Sequence, residues 1–252
     1  MKLAFVILNF NTYKETVECI NSIFKHVGIG SDEYNITVVD NGSTDNSFER
    51  LINKFGEFKN IDVICTQKNL GFAKGNNFGI KHVNKCYSPS YVAVINSDTE
   101  LIQDNFYQSI VEENIKHNFG VLGPMEAMAD GTYMGPWKPI NLQKLTKVIH
   151  DSKVESVFLK YRIEKILYFF RKVHRYFKKI LDKSNSKTAD QFHERLTPLL
   201  YQENVELHGA FLIFNKKVFD KISGFDDRTF LYFEEQLLYL SLERNNLISA
   251  YT

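Results

Sequence analysis

The chain lacks a surplus of charge of either sign. Its 252 residues carry a formal net charge of +1, which leaves no global field to draw in nucleic acid. Cysteine is scarce: Cys19, Cys65 and Cys86 are odd in number, scattered, and form no CxxC pair. That argues against a disulfide frame or a thiolate zinc site and fits a reducing compartment. No apolar run approaches the ~20 residues of a membrane span. The start, MKLAFVILNF, has one Lys, a short apolar run and no small-residue cleavage site, so no signal peptide is expected. Repeats and low-complexity tracts are missing as well. The expected location is cytoplasmic, with contact at a membrane surface left open. What remains is ordinary for a globular protein, 44% apolar and 24% charged, and long enough for one large domain or two small ones.

What is present is alternation. LAFVIL (3–8) is a continuous apolar run rich in strand formers, closed by Asn9-Phe10-Asn11. Both faces read as buried, as in a parallel sheet covered by helices. In the next segment Val17, Ile20, Ile23, Phe24 and Val27 recur at helical spacing, with Thr12 placed to cap the start. NITVVD (35–40) reads as a second strand, and SFERLINKF as a second helix with Phe48, Leu51, Ile52 and Phe55 inward. IDVICTQ, a Gly/Asn loop turning into a helix, and YVAVINSD follow. The alternation predicts an α/β sheet with right-handed crossovers. Ligands bind outside the carboxyl ends of the strands in such sheets. Asn9–Asn11, Asp40–Asp45 and Asn96–Asp98 are therefore expected along one edge.

Each polar cluster has a plain and a functional reading. Asp40, followed by Asn41-Gly42-Ser43, suits an Asx turn with Asp45 or Ser47 capping the next helix. A carboxylate at a strand end equally suits the N–H groups of a nucleobase or ribose hydroxyls. NLGFAKGNNFG (69–79) is neither a Walker loop nor GxGxxG. It reads as a loop with left-handed residues at Gly71 and Gly75, or as backbone and Asn amides approaching a polar ligand, with Lys74 near phosphate. Asn96-Ser97-Asp98 suits a polar strand exit, or a hard divalent cation that takes one or two carboxylates plus substrate phosphates. Glu234-Glu235 suits the solvated first turn of a helix, or a general base tuned by its neighbour and by aromatic burial. Asp226 and Asp227 read as turn formers. His208 and Trp137 are candidate contacts for acceptor or phosphate.

Order and spacing say more than any one motif. VILNFNTYKETVECINSI, VVDNGSTDNS, NLGFAKGNNFGI, VINSDTEL and HGAFLIFNKKVFDKISGFDDRTFLYFEE closely resemble the family 2 glycosyltransferases of GT-A fold, nearest the rhamnosyltransferase-like bacterial branch that builds surface polysaccharides. The match is strong over 1–125 and good over 205–245. The resemblance implies a mostly parallel central sheet flanked by helices, with a helical insertion. It implies a UDP- or dTDP-type sugar donor, Mn²⁺ or Mg²⁺, and inverting transfer to a saccharide or lipid-linked saccharide. Asp40 would read the base, while Asn9, Asn11 and Asn41 line its pocket. Asn69, Gly71 and Asn76 would pack on nucleotide and sugar. Asn96-Ser97-Asp98 would stand for the DxD element, with Asp98 the metal ligand. Glu234-Glu235 would stand where the family commonly has Glu-Asp, the second residue being the base. Leu237 stands where a further acidic residue is common, which leaves the choice between Glu234 and Glu235 open.

The expected organisation is one GT-A domain: 1–125 for the nucleotide sugar, 126–204 a basic helical insertion and linker, and 205–252 the acceptor and base segment. Within the insertion, 158–183 has an apolar stripe at helical spacing with Lys and Arg between. It suits packing on the sheet, an oligomer interface, or an anionic membrane surface at the inner face of the cell membrane. The chain stops at LISAYT, inside what reads as a further strand, so a shortened C-terminus is expected. An alternative follows: a nucleotide-sugar-binding protein of the same fold with weak or no transfer. A nucleotidyltransferase wants a Gly-rich basic loop after the first strand, and NFNTYKE has no glycine. A dinucleotide oxidoreductase is disfavoured by the missing GxGxxG.

Overall fold

A computed structural model describes residues 1–128, 131–139, 201–231 and 233–252. The chain divides into two compact units, Met1–Pro136 with Thr197–Thr252, and Trp137–Leu196. The dividing points differ from the expected 126–204, because β6, β7 and β8 belong to the first unit. Of the second unit only 137–139 are described. The expected basic helix 158–183, with its membrane or oligomer role, lies outside the described residues, and so does the linker.

The first unit opens with β1 (Leu3–Asn9), α1 (Tyr13–His26), β2 (Tyr34–Asp40), α2 (Ser47–Phe55) and β3 (Ile61–Cys65). It continues with α3 (Phe72–Cys86), β4 (Tyr91–Asn96), α4 (Phe106–His117) and β5 (Val121–Gly123). A small hairpin, β6 (Glu126–Ala127) and β7 (Tyr133–Met134), comes next. Then follow β8 (Gln202–Glu203), β9 (Phe211–Asn215), α5 (Glu234–Arg244) and β10 (Ser249–Tyr251). The main sheet runs β3-β2-β1-β4-β9-β5-β10-β8. Strands β3, β2, β1 and β4 are mutually parallel, as are β5 and β10, while β9 runs antiparallel between β4 and β5.

Two-sided burial explains why β1 is apolar without alternation. Leu3, Phe5 and Ile7 join Cys19, Ile20 and Ile23 of α1 in one core, along with Leu51 of α2 and Phe106 of α4. Val6 and Leu8 face the other layer, where α3 approaches through Gly75 and Gly79. A Cβ at Gly79 would lie 2.4 Å from Val6 Cγ1, and one at Gly75 2.6 Å from Leu8 Cδ1. Close helix–sheet contact is therefore what Gly75 provides. It lies within α3 and is not left-handed, which corrects the expectation; Gly71 is left-handed, at φ 85°. Full burial of each such aliphatic or aromatic side chain contributes about 1.5–3 kcal/mol.

Helix α2 departs from expectation in one respect. Leu51 and Phe55 are buried and Phe48 is half-buried, but Ile52 is 41% exposed. A nine-residue helix packed along a single stripe has room for little more.

No described helix is long and apolar enough to cross a membrane.

Candidate active site

Register sets the site. Pairing of β1 with β2 places Asn9 opposite Asp40, and pairing with β4 places Leu8 opposite Asn96. The chain leaves β1 toward β2 on one side and reaches β4 on the other. The crevice at this reversal is where an open α/β sheet takes ligands, and Asn9, Asp40 and Asn96 stand together there.

Asn9 is fully buried and its amide is fully occupied. Nδ2 donates to Asp40 Oδ2 at 2.7 Å and to Ser43 Oγ at 3.0 Å. Oδ1 accepts from Thr12 Oγ1 at 3.2 Å and Thr16 Oγ1 at 2.9 Å. Asn9 thus sits beneath the crevice as a joint rather than lining it. Thr12 occupies the N-cap position of α1, but its hydroxyl makes no cap bond. It reaches Asn9 and, at 3.0 Å, Ser97 Oγ, linking the β1 and β4 exits. That corrects the capping expectation. Asp40, 1% exposed, also accepts from Ser43 N at 2.9 Å. Asn11, exposed and at φ 58°, accepts from Thr44 N at 2.8 Å through Oδ1. Neither expected residue is the cap of α2: its N-cap is Asn46, which makes no side-chain cap bond, and Asp45, one residue earlier, accepts through Oδ1 from Ser47 N at 3.1 Å and Ser47 Oγ at 2.5 Å. This hydrogen bonding to Ser47 holds its carboxyl below the usual range.

Asn41 clamps the Asn/Gly loop. Its Nδ2 donates to Asn69 Oδ1 and to the Gly71 carbonyl, both at 3.2 Å, and its Oδ1 accepts from Leu70 N at 3.0 Å. Asn69 Oδ1 also accepts from Gly71 N at 2.8 Å. Gly71 meets the segment before α5. Phe72 N donates to Phe230 O at 2.9 Å, and a Cβ at Gly71 would lie 2.2 Å from that oxygen. Asn76 is buried in the first turns of α3, with Nδ2 donating to Phe72 O at 3.2 Å and Oδ1 without a hydrogen-bond partner among the described residues. Lys74 is exposed on the same turn.

At the β4 exit Ser97 is buried and Asp98 is exposed. Its charge is felt beneath, at Cys19, whose thiol burial pushes up to about 12 with help from Asp98 and Glu100. Among the described residues no three His, Cys, Asp or Glu side chains cluster to cage a metal. One free-facing carboxylate beside the Asn96 amide fits instead an open oxygen site completed by phosphate and water.

The acidic pair separates clearly. Glu234 is 3% exposed and accepts from Thr229 Oγ1 at 3.0 Å, so it is no solvated helix-end residue. Glu235 is half-buried, its carboxylate lying over Gly209, where a Cβ would come within 2.7 Å of Oε1. The next residue, Ala210, accepts through its carbonyl from Asn96 N at 2.8 Å. Glu235 is thereby tied to the strand end that bears Asp98.

His208 Nδ1 lies 2.7 Å from Glu126 Oε2, an ion pair when the ring is protonated. Trp137 falls in the second unit. Asp226 shapes its turn through Arg228, whose Nε donates to Oδ1 at 2.8 Å; that hydrogen bond holds the Asp226 carboxyl low. Missed altogether was Glu206, wholly buried and bonded through Oε1 to Gln236 Nε2, with its carboxyl pushed up to about 7, chiefly by burial. The only signal was a Glu flanked directly by Val205 and Leu207.

A family model described as glycosyl transferase family 2 matches residues 4–223. Two crystal structures of S. aureus TarS 1–349 match the whole of this chain with TM-scores of 0.57. One is 17% identical; the other, in complex with UDP, is 18% identical. The chain spans 58% of the length of each, and these likenesses show the shared fold. No curated protein sequence matches it.

Proposed function

The chain belongs to glycosyl transferase family 2 and has the GT-A fold; from that premise we propose that it moves a hexose-type sugar from a nucleotide diphosphate donor to a hydroxyl acceptor, with inversion. One observation carries the reading: the Asn96–Ala210 hydrogen bond, which draws Asp98 and Glu235 to the same edge of the sheet. A cation-binding carboxylate and a candidate base must share one cleft for an in-line displacement, and this link supports that.

The roles follow from burial and partners. Asp40, held by Asn9 and Ser43, offers its carboxylate to the N–H groups of the base or to ribose hydroxyls. Asn11, Asn41, Asn69, Gly71 and Asn76 shape the wall beside it, and Lys74 stands ready for phosphate. Asp98, with Asn96 and Ser97 beside it, would hold Mn²⁺ or Mg²⁺. Such an ion offsets charge on the leaving diphosphate. Glu235 is assigned as the base because Glu234 is buried and engaged by Thr229. The acceptor oxygen attacks the anomeric carbon from the face opposite the diphosphate. Its proton passes to Glu235 as the bond to the diphosphate oxygen breaks. A saccharide or lipid-linked saccharide is the acceptor, with His208 as a candidate contact. The setting is bacterial surface polysaccharide synthesis on the cytoplasmic side, supported by cysteines that form no pairs.

A thermal-shift panel of UDP-, dTDP- and GDP-sugars with and without Mn²⁺ tests this. A UDP- or dTDP-sugar is expected to raise Tm, and more so with Mn²⁺. If none of the panel shifts Tm, the donor assignment falls. Binding without donor turnover or transfer would leave a nucleotide-sugar-binding protein in place of an enzyme.

A further inference from the structure

Around Glu235 the structure is more elaborate than a lone base requires. Segment 204–207 is fixed to β10 on one flank: Asn204 N donates to Ser249 O at 2.7 Å, and Ser249 Oγ donates to Val205 O at 2.8 Å. On the other flank Leu207 covers Gly123 at the end of β5. Glu206, between them, is fully buried and accepts from the amide of Gln236, the residue directly after Glu235. Three residues on, Gly209 leaves the space into which the Glu235 carboxylate settles. Glu235 also shares an apolar hollow with Val205, Leu207 and Leu238. One short segment therefore holds the first turn of α5 at two points, an amide anchor at Glu206 and a bare floor at Gly209.

The geometry points to Glu206 as the positioning residue of Glu235: it anchors the turn that carries the base, and its proton sets the charge felt there. This rests on Glu235 being the base of the proposed transferase. A buried carboxyl beside another cannot ionise without cost, so the two protons are coupled. Burial first, then the Glu235 charge, favours the neutral form of Glu206, against the pull of the Gln236 hydrogen bond. Among the described residues, the other ionisable groups facing Glu206 include Tyr239, which feels its charge, and Glu243 beyond it, hydrogen-bonded by the Tyr239 hydroxyl at 3.4 Å. Once Glu206 ionises, its charge stands against that of Glu235, so the two carboxyls exchange protons as a pair.

The test follows the side-chain carboxyl carbon of Glu235 by ¹³C NMR titration of the whole chain, in the parent and in Glu206→Gln. Gln keeps an oxygen to accept from Gln236 and carries no charge. The parent is expected to show a second inflection near pH 7 that Glu206→Gln lacks; identical curves overturn the proposal. Should Glu206→Gln fail to fold, Glu235→Gln serves, because coupling is reciprocal. The Glu206 carbon should then titrate at lower pH than in the parent, and an unmoved Glu206 curve overturns the proposal. Binding of UDP with Mn²⁺, measured in parallel, separates the two readings. Coupling without UDP binding keeps the linkage and removes the transferase; UDP binding without coupling does the reverse.

Discussion

Asn9 Nδ2 donates to Asp40 Oδ2 at 2.7 Å across the paired ends of β1 and β2. A neutral amide thereby satisfies a carboxylate that is almost wholly buried at the base of the candidate donor cleft. Asn9→Ala removes that bond and the one to Ser43. It leaves a buried charge held by the Ser43 N–H. A loss of about 2–3 kcal/mol is expected by denaturant unfolding, together with weaker nucleotide binding. A variant as stable as the parent would show that the joint does not support Asp40.

Gly71→Ala tests the loop docking. A methyl there would meet Phe230 O at 2.2 Å, in a backbone conformation that L side chains rarely adopt. The expected cost is about 1–3 kcal/mol, with loss of the Phe72–Phe230 hydrogen bond visible as faster amide exchange at Phe72. Unchanged exchange there would mean the two segments are not held through Gly71.

Asp98→Ala removes the carboxylate assigned to the cation. The side chain is exposed, so folding stability should stay within about 0.5 kcal/mol of the parent. Calorimetric titration of UDP should lose its dependence on Mn²⁺, and transfer should cease. If Mn²⁺-dependent binding survives intact, the metal lies elsewhere.

Glu235→Gln keeps shape and loses the proton acceptor. Turnover is expected to fall about 10²–10⁴-fold while UDP binding stays near the parent value. A rate close to the parent's would move the base to another group.

Stability should carry the mark of Glu206. Its carboxyl titrates at about 7 in the folded chain against an ordinary 4.5, so the folded state holds the proton more tightly. That contribution is complete below pH 4.5 and is lost as pH rises to 7, amounting to about 3 kcal/mol at most. Glu206→Gln is neutral throughout. It should match the parent's unfolding free energy at pH 4 and exceed it at pH 8. Parallel pH curves for the two proteins would mean that Glu206 is ionised when folded.

How far the sequence alone reaches varies by element. β1, β2 and β4 were legible because strands buried on both faces leave unbroken apolar runs. Ser47–Phe55 was legible to the residue because polar loops bound it on both sides. The outward turn of Ile52 was not, since periodicity marks a stripe and not its width. Asn9 read as a ligand contact because polar residues at strand ends usually are. Its saturation by Asp40, Ser43, Thr12 and Thr16 comes from three separate elements and has no local signature.

The order of strand and helix, the polar strand exits and the family likeness were set by the sequence itself, since each depends on local pattern and spacing. Which carboxylate is buried and which stays half-exposed was decided by tertiary structure. Glu234 and Glu235 are neighbours of identical chemistry, and nothing local separates them. Packing does: Thr229 takes one into the protein, Gly209 leaves a place for the other, and Glu206, arriving from a distant stretch of chain, anchors the turn that bears both.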